Sequence, residues 1–306
     1  MRVLVTGGAG FIGSHLVTRL LGDGHDVRVL DDLSTGKREN LAHLAAADVE
    51  LVVGDVRDGA TVDACARGCE VVFHEAAIVS VPYSVEHPQT SHDVNLQGTL
   101  NVLLAARAQG VRRVVFACSA AVYGDEPTLP KREDMAASPI SPYGIEKIAG
   151  EQYVLAWPKL YGVEGVSLRY FNVFGPRQDP RSPYSGVISV FVDRARAGRE
   201  ITVFGDGEQS RDFVFVEDVV QANVLAATVP SASGRAYNIG RGARTTLNEL
   251  LAMLERIVDR PLAVRHEPPR AGDIRDSLAD VSRAREELGF APRVAIEEGL
   301  RRLIGG

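Results

Sequence analysis

"VLVTGGAGFIGSHL", residues 3–16, decides how the rest of the chain is read. Gly7, Gly10 and Gly13 stand in a GxxGxxG spacing. An apolar β-branched run precedes them and an apolar pattern of helical period follows, so the glycines form the turn of a strand–turn–helix unit. Glycine permits the tight turn and the close approach of backbone to a pyrophosphate. The helix that follows offers the same anion its free N–H groups and the positive end of its dipole. The next strand ends "VRVLDDL", with Asp31 eighteen residues beyond Gly13. A carboxylate there accepts hydrogen bonds from both ribose hydroxyls of an adenosine and repels a 2′-phosphate. Arg28 lies inside the strand, and Lys37 and Arg38 come later, so no basic residue directly replaces the acid. This favours NAD over NADP. Asp55, closing the third strand in "VVGDVRD", is placed to meet the adenine edge or, equally, to serve as a strand-end turn residue.

Further strands are predicted over 26–30, 50–54, 70–74, 112–118 and 165–170, after a first over 2–6. Their inner residues are nearly all Val, Leu or Phe with little alternation, as in parallel strands covered on both faces. Helical patterns over 12–21, 93–108 and 142–157 lie between them. Alternating strand and helix implies an α/β fold with a doubly wound parallel sheet. After about residue 172 Pro and Gly become frequent, as in "FGPRQDPRSPYSG", and strands become short. "RAYNIG" (235–240) is a strand that could return to the main sheet. "TTLNELLAMLERIV" (245–258) reads as an amphipathic helix capped by Thr245 or Thr246. The expected organisation is a dinucleotide-binding domain over 1–171, with 213–240 returning to it, and a smaller interleaved α/β region over 172–212 and 241–306. Pro158 in "AWPKLYG" predicts a kink or stop in the helix that holds it.

Composition narrows the function classes. The chain has 306 residues, 45% hydrophobic and 24% charged, the balance of a globular protein with a sizeable core. Its net charge of -6 argues against nucleic acid as a partner, since neutralising phosphates needs a basic face. No apolar run reaches the roughly 18 residues of a membrane span. The chain opens directly as a strand with no leader pattern, which predicts a cytoplasmic protein. Cys65, Cys69 and Cys118 then read as reduced, partly buried thiols. Cys65 and Cys69 could share a helix face, but no His or Cys lies near enough to complete a metal site, and no metal is expected.

"SPYGIEKIAGEQ", residues 141–152, places Tyr143 four residues before Lys147, on one face of a helix. A free phenol, with a pKa of about 10, is a poor base at neutral pH. A nearby ammonium and a positive nicotinamide ring would stabilise the phenolate. Lysine can also hold ribose hydroxyls.

The glycine spacing, "HEAA" (74–77), "CSAAVYG" (118–124) and the Tyr143/Lys147 pair together resemble the extended short-chain dehydrogenase/reductase family, and within it the UDP-sugar 4-epimerases. The likeness runs nearly end to end, through "LRYFNVFGPRQ", "QSRDFVFVEDV", "AYNIG" and "PRAGDIRDSLAD". It implies that Ser119, Tyr143 and Lys147 are catalytic, with Ser119 hydrogen-bonding the reacting sugar hydroxyl. Tyr143 would remove the O4 proton while the C4 hydrogen passes to NAD. The resulting 4-keto sugar would turn over in the pocket and take the hydrogen back on its other face. NAD would be regenerated each cycle and stay bound. The implied cofactor-binding set is Gly7, Gly10, Phe11, Ile12, Gly13, Asp31, Asp32, Asp55, Val56, Ala76, Ala77, Asn95, Tyr143, Lys147 and Tyr170.

For the substrate, the resemblance implies that Arg211 and Arg270 grip the UDP diphosphate. Asp273 would hold the uridine ribose, Asn172 would contact the diphosphate or uracil, and Phe204 would line the uracil site. Val81, Val187, Ser119 and Tyr143 complete the implied set. Ser277 falls at a gatekeeper position where a tyrosine restricts the pocket to plain hexoses and a small residue admits a 2-acetamido group. "SVPYSVEHP" (80–88) and Val79, where many hexose-specific relatives carry lysine, lean the same way. The expected substrates are therefore UDP-glucose and UDP-galactose together with UDP-N-acetylglucosamine and UDP-N-acetylgalactosamine. Ala120 and Ala121 cannot transfer protons, which argues against the related 4,6-dehydratases. UDP-glucuronate epimerases and decarboxylases stay open, since Arg181 or Arg275 could pair with a C6 carboxylate. A non-catalytic nucleotide-sugar sensor is the alternative from another class, opposed by the intact Ser119/Tyr143/Lys147 set. The helices over 93–108 and 142–157 resemble those through which this family forms homodimers by a four-helix bundle.

Overall fold

The computed structural model describes residues 1–45, 48–179, 186–269 and 274–305. The first half alternates strand and helix: β1 (Arg2–Thr6), α1 (Phe11–Gly22), β2 (Asp26–Asp31), β3 (Val49–Val53), α2 (Gly59–Ala66) and β4 (Val71–His74). Two short helices, α3 (Val81–Glu86) and α4 (Pro88–His92), lead to α5 (Gly98–Ala108), then β5 (Arg113–Ser119), α6 (Pro142–Tyr161) and β6 (Glu164–Tyr170). The second half holds β7 (Asn172–Phe174), α7 (Val187–Ala197), β8 (Ile201–Phe204), β9 (Ser210–Arg211), β10 (Phe213–Phe215), α8 (Val216–Thr228) and β11 (Arg235–Ile239). It ends with β12 (Thr245–Thr246), α9 (Leu247–Val258), β13 (Val264–Glu267) and α10 (Ile296–Gly305).

Seven strands form one parallel sheet in the order β11-β6-β5-β4-β1-β2-β3. The order reverses between β1 and β4, which opens a crevice beyond their C-terminal ends. The lack of alternation in the strands is explained by burial on both sides. Val3 and Val5 pack with α1 and α8 on one face, and Leu4 packs with α5 and α6 on the other. All three are 0% exposed, and full burial of each such side chain contributes roughly 1.5–3 kcal/mol. β11 returns to the sheet edge beside β6, as its sequence suggested. A third apolar cluster, including Phe191, Val203, Phe215, Leu250 and Leu300, binds the short strands of the second half to α7, α9 and α10. Among the described residues, no helix is long and apolar enough to cross a membrane.

Helix ends follow their local chemistry. Ser141 caps α6 by accepting from the Gly144 N–H at 3.1 Å, and Pro142 occupies the first turn, where a missing N–H costs nothing. Thr246 and Glu249 form a reciprocal capping box at α9. Two helices differ in detail from the expectation. The helix predicted over 93–108 begins as a π turn over Asp93–Gln97 before α5 starts at Gly98. α6 does not stop at Pro158 but continues to Tyr161 and ends on left-handed Gly162. Pro158 cannot donate to the carbonyl four residues earlier, on Val154. That carbonyl lies against Gly165 at the start of β6, where an added Cβ would stand 2.1 Å from its oxygen. The bond that proline removes therefore lets α6 press backbone to backbone on the sheet.

Gly165→Ala is accordingly expected to lower stability by about 2 kcal/mol or more. Urea denaturation would show this, and an unchanged midpoint would mean that α6 and β6 separate freely.

Candidate active site

A single cavity of about 700 Å³ opens at the sheet's switch point. Its floor is the glycine turn. Gly7 has a φ of 69°, and Gly10 N–H bonds the Gly7 carbonyl at 3.0 Å. A Cβ on Gly13 would sit 2.2 Å from the Gly7 oxygen, and one on Gly7 would sit 2.7 Å from Ala76 N. Only glycine allows this fold-back, which leaves the first N–H groups of α1 without helical partners and facing the cavity. Asp31 ends β2 and is 6% exposed. Its carboxylate accepts from Ala9 N and Leu33 N, each at 2.9 Å, which ties the glycine turn to β2. Burial raises its pKa, and those two N–H groups oppose the rise.

The opposite wall is built by β5 and α6. Ser119, at the end of β5, accepts from Ala121 N at 3.1 Å. Burial pushes the Tyr143 phenol up to about 12, opposed by its hydrogen bond with the Ser119 hydroxyl. Lys147 is 3% exposed, and its Nζ donates to the Ala117 carbonyl at 2.8 Å, 5.8 Å from the centre of the Tyr143 ring. Burial lowers its pKa, opposed by the nearby Cys118, Glu75 and Glu146. The expected depression of the phenol is therefore absent from the protein alone. The helical spacing brings the two side chains to one wall, but desolvation dominates the phenol.

Behind the cavity, two networks hold the segment after β4. Thr99 Oγ1 donates to the Asn95 carbonyl at 2.6 Å, so it must accept from His74 Nε2, 3.0 Å away. His74 Nδ1 then accepts from Thr6 Oγ1 at 2.7 Å. Burial drives this imidazole down to about 3, so it stays neutral. The Asn95 amide clamps Ile78 by both its N–H, at 2.8 Å, and its carbonyl, at 3.0 Å. It also donates to Glu146 at 2.7 Å. Asn95 was expected at the cofactor, but it lies behind the wall and positions residues 76–79, because the π turn aims its side chain at Ile78.

The remaining cofactor candidates all line this cavity: Phe11, Ile12, Asp32, Val56, Ala76, Ala77 and Tyr170, with Gly7, Gly10, Gly13, Asp31, Ser119, Tyr143 and Lys147. Asp55 lines it too, but its carboxylate is paired with Arg57 at 2.5 Å, which holds it below the usual range. Lys37, six residues past Asp31, reaches the wall as well, where Asp179 neutralises it at 2.5 Å. The substrate candidates are dispersed. Asn172 and Val187 line an adjoining recess of about 60 Å³. Val81 opens α3, partly exposed, beside the cavity residue Ser80. Arg211 donates to the carbonyls of Ser210 and Arg275, both at 2.9 Å, and Ser277 N–H bonds Ser210 at 3.1 Å. Arg211, Ser277 and Phe204 thus lie outside the main cavity, because the segment carrying Ser277 is tied to β9. Arg275 extends outward to Asp206. Arg270, Asp273 and Arg181 lie outside the described residues. Sequence reading gave no role to Glu75, Tyr83, Phe171 or Val173, which also line the cavity. Glu75 was detectable as the acid directly after β4, at the switch point.

The glycine cradle with its exposed N–H groups, the carboxylate ending β2 and the lysine on the far wall fit a nicotinamide dinucleotide. A family model, the NAD dependent epimerase/dehydratase family, matches residues 3–240. The chain is 45% identical to a UDP-glucose 4-epimerase of Mycolicibacterium smegmatis, over 99% of this chain and 97% of that protein. Its fold matches a UDP-N-acetylglucosamine 4-epimerase from Methanobrevibacter ruminantium, solved with UDP-N-acetylmuramic acid, at a TM-score of 0.95 and 37% identity. That match covers 99% of this chain and 97% of the other. A UDP-glucose 4-epimerase of Thermus thermophilus solved with NAD matches at a TM-score of 0.90 and 40% identity, over 100% and 98%.

One pH dependence follows from Glu75. Burial raises its carboxyl from 4.5 to about 7, opposed by the Tyr170 hydroxyl and Lys147. The folded chain holds this proton more tightly than the unfolded one. The stability it contributes is full below pH 4.5 and is lost as pH rises through about 7. Comparing Glu75→Gln with the parent by urea denaturation, the variant should gain on the order of 2–3 kcal/mol between pH 4.5 and 8. A difference that does not change with pH would place the group in water.

Proposed function

This chain belongs to the NAD dependent epimerase/dehydratase family, and from that premise we propose that it is an NAD-using UDP-sugar 4-epimerase. The observation that carries the reading is the single cavity shared by the glycine turn, Asp31, Ser119, Tyr143 and Lys147. The N–H groups of α1 would hold the pyrophosphate and Asp31 the adenosine ribose. Lys147 would hold the nicotinamide ribose, leaving its Ala117 contact. NAD supplies an acceptor for the sugar's C4 hydrogen and gives that hydrogen back. Ser119 orients the O4 hydroxyl, and Tyr143 takes its proton and later returns it. The phenol starts neutral, so it becomes a base only as positive charge gathers beside it. The net reaction returns NAD to its starting state, so we infer that it stays bound between turnovers.

UDP-glucose and UDP-galactose are the proposed substrates; that UDP-N-acetylglucosamine and UDP-N-acetylgalactosamine are also accepted rests on the small Ser277, which stands beside β9 and not on the wall of the main cavity. The residues proposed for the UDP end, Arg211, Phe204, Asn172, Arg270 and Asp273, belong to residues 172–212 and 241–306, which we take as the substrate region. Outward-pointing Arg275 gives a uronate carboxylate little support. Three buried free thiols fit the reducing cytoplasm. A homodimer is also inferred. α5 and α6 expose Leu104, Ile145, Tyr153, Leu160 and Tyr161, with Leu160 62% accessible, on the two helices expected to form a four-helix bundle.

Tyr143→Phe is expected to reduce C4 inversion of UDP-glucose and UDP-N-acetylglucosamine by at least about 100-fold while NAD and UDP-sugar binding persist. UDP-glucuronate, assayed alongside, should be turned over slowest. Inversion by the variant at the parent's rate would remove Tyr143 as the base. Leu104→Glu with Leu160→Glu should convert the dimer to a monomer in light scattering, and a parent protein already monomeric would refute the helix-bundle interface.

A further inference from the structure

One acidic side chain on the cavity wall takes no part in the chemistry above. Glu75 is the first residue beyond β4, and its N–H is fixed to the Thr6 carbonyl at 3.1 Å. Its Oε1 accepts from the Tyr170 hydroxyl at 2.8 Å. That hydroxyl accepts from Asn223 Nδ2, on α8, at 2.7 Å. The same Nδ2 donates to the Val219 carbonyl at 3.0 Å, while Asn223 Oδ1 is buried without a partner.

This arrangement has a direction. Val219 offers only an acceptor, so the amide nitrogen must face it. The Tyr170 hydroxyl therefore accepts a hydrogen bond from Asn223 and donates its own to Glu75. A run of donors thus ends on a carboxyl oxygen, and an orphaned buried carbonyl, a cost of about 1–3 kcal/mol, is tolerated to keep it so. Such a network suits an anionic oxygen on the cavity wall.

Among the described residues, the charged and titratable groups facing Glu75 are few. α6 supplies Lys147, which acts on it through space, and Tyr143. β6 supplies Tyr170, and β5 supplies Cys118, whose thiol burial keeps protonated. Asn223, on α8, is neutral, and the glycine turn with the start of α1 contributes no ionisable side chain to the cavity. Asp31, Asp32, Lys37, Asp55, Arg57, Arg177 and Asp179 line other parts of the cavity wall. A nicotinamide ring is cationic when oxidised and neutral when reduced, so a fixed carboxylate distinguishes the two states by one unit of charge.

We propose that Glu75 is the counter-charge of the redox site, favouring the oxidised over the reduced dinucleotide and so limiting how far the keto state accumulates. It is a positioning residue acting through charge, with no proton exchanged with the sugar. The proposal rests on the reading of the cavity as an NAD site. Since burial brings the carboxyl up to about 7, the preference for the oxidised form should weaken as pH falls through neutrality.

The test equilibrates purified protein with equal concentrations of NAD⁺ and NADH until the bound ratio is constant, then extracts and quantifies both from pH 6 to 9. At pH 8 the parent's ratio of oxidised to reduced nucleotide should exceed that of Glu75→Gln by roughly tenfold. The parent's ratio should fall toward the variant's near pH 6, while the variant's stays flat. Glu75→Asp keeps the charge and should keep a pH-dependent ratio. Ratios within twofold of each other, or a parent ratio independent of pH, overturn the proposal while leaving the NAD reading intact. Should Glu75→Gln fail to fold, the parent's pH profile and Glu75→Asp still decide. Protein that binds neither nucleotide overturns both.

Discussion

Two strand ends held within a backbone's width of each other govern the rest of this structure. The turn after β1 and the segment after β4 touch main chain to main chain, and a single Cβ on Gly7 would come within 2.7 Å of Ala76 N. Closeness of this kind cannot come from side-chain packing, which would hold the two apart. It comes from glycine at the turn, with a φ of 69° at Gly7, and from the buried chain Thr6–His74–Thr99, which ties the ends of β1 and β4 to the π turn. Because both segments are pinned, the N–H groups of α1 and the residues 75–79 share one cavity wall. Each buried hydrogen bond is worth only about 1 kcal/mol net. Their importance is positional: together with the Asn95 clamp on Ile78 they fix the height of the segment after β4 above the sheet.

The same economy governs charge on α6. Three ionisable residues follow one another along this buried face, Glu146, Lys147 and Glu151, all less than 5% exposed. Left to themselves they would pair. Instead Glu146 accepts from Ser91 and Asn95, at 2.7 Å each, and Glu151 is taken by Arg169 and Ser167. Neither carboxylate is hydrogen-bonded to Lys147, whose Nζ rests on the Ala117 carbonyl. Buried ion pairs add little to stability once desolvation is counted. Here the Glu151–Arg169 pair has a different consequence: it leaves the lysine's charge directed at the cavity.

The sheet was legible because its strands are covered on both faces and therefore lack alternation, and because the glycine turn and Asp31 have a spacing that few other arrangements require. The shared wall of Tyr143 and Lys147 was legible too, since a spacing of four on a helix fixes a shared face. What escaped was whatever depends on contacts between distant segments. Nothing local shows that Pro158 would be carried through by Gly165, or that a π turn would rotate Asn95 away from the cavity toward Ile78. Lys37 was discounted as too far along the chain, yet the chain folds back and brings it to the wall with Asp179. Ser277 and Arg211 sit together through backbone pairing at β9, a relation that motif matching cannot supply.

The protonation state of Tyr143 brings these constraints together. A phenol held at about 12 is neutral at any physiological pH. Under the proposed chemistry, its removal from water is the same feature that would exclude solvent from a reacting sugar. A pocket dry enough to protect a ketone is thus also one that disfavours the base needed to make it, unless compensating charge arrives with the ligands. Lys147, kept clear of its neighbouring carboxylates, provides part of that charge. Under the proposed chemistry an oxidised nicotinamide would provide the rest, and Glu75 would set how strongly that ring is held in its cationic form. Under that chemistry the base would be competent only with cofactor and lysine both in place, which would couple proton removal to the presence of an acceptor for the C4 hydrogen.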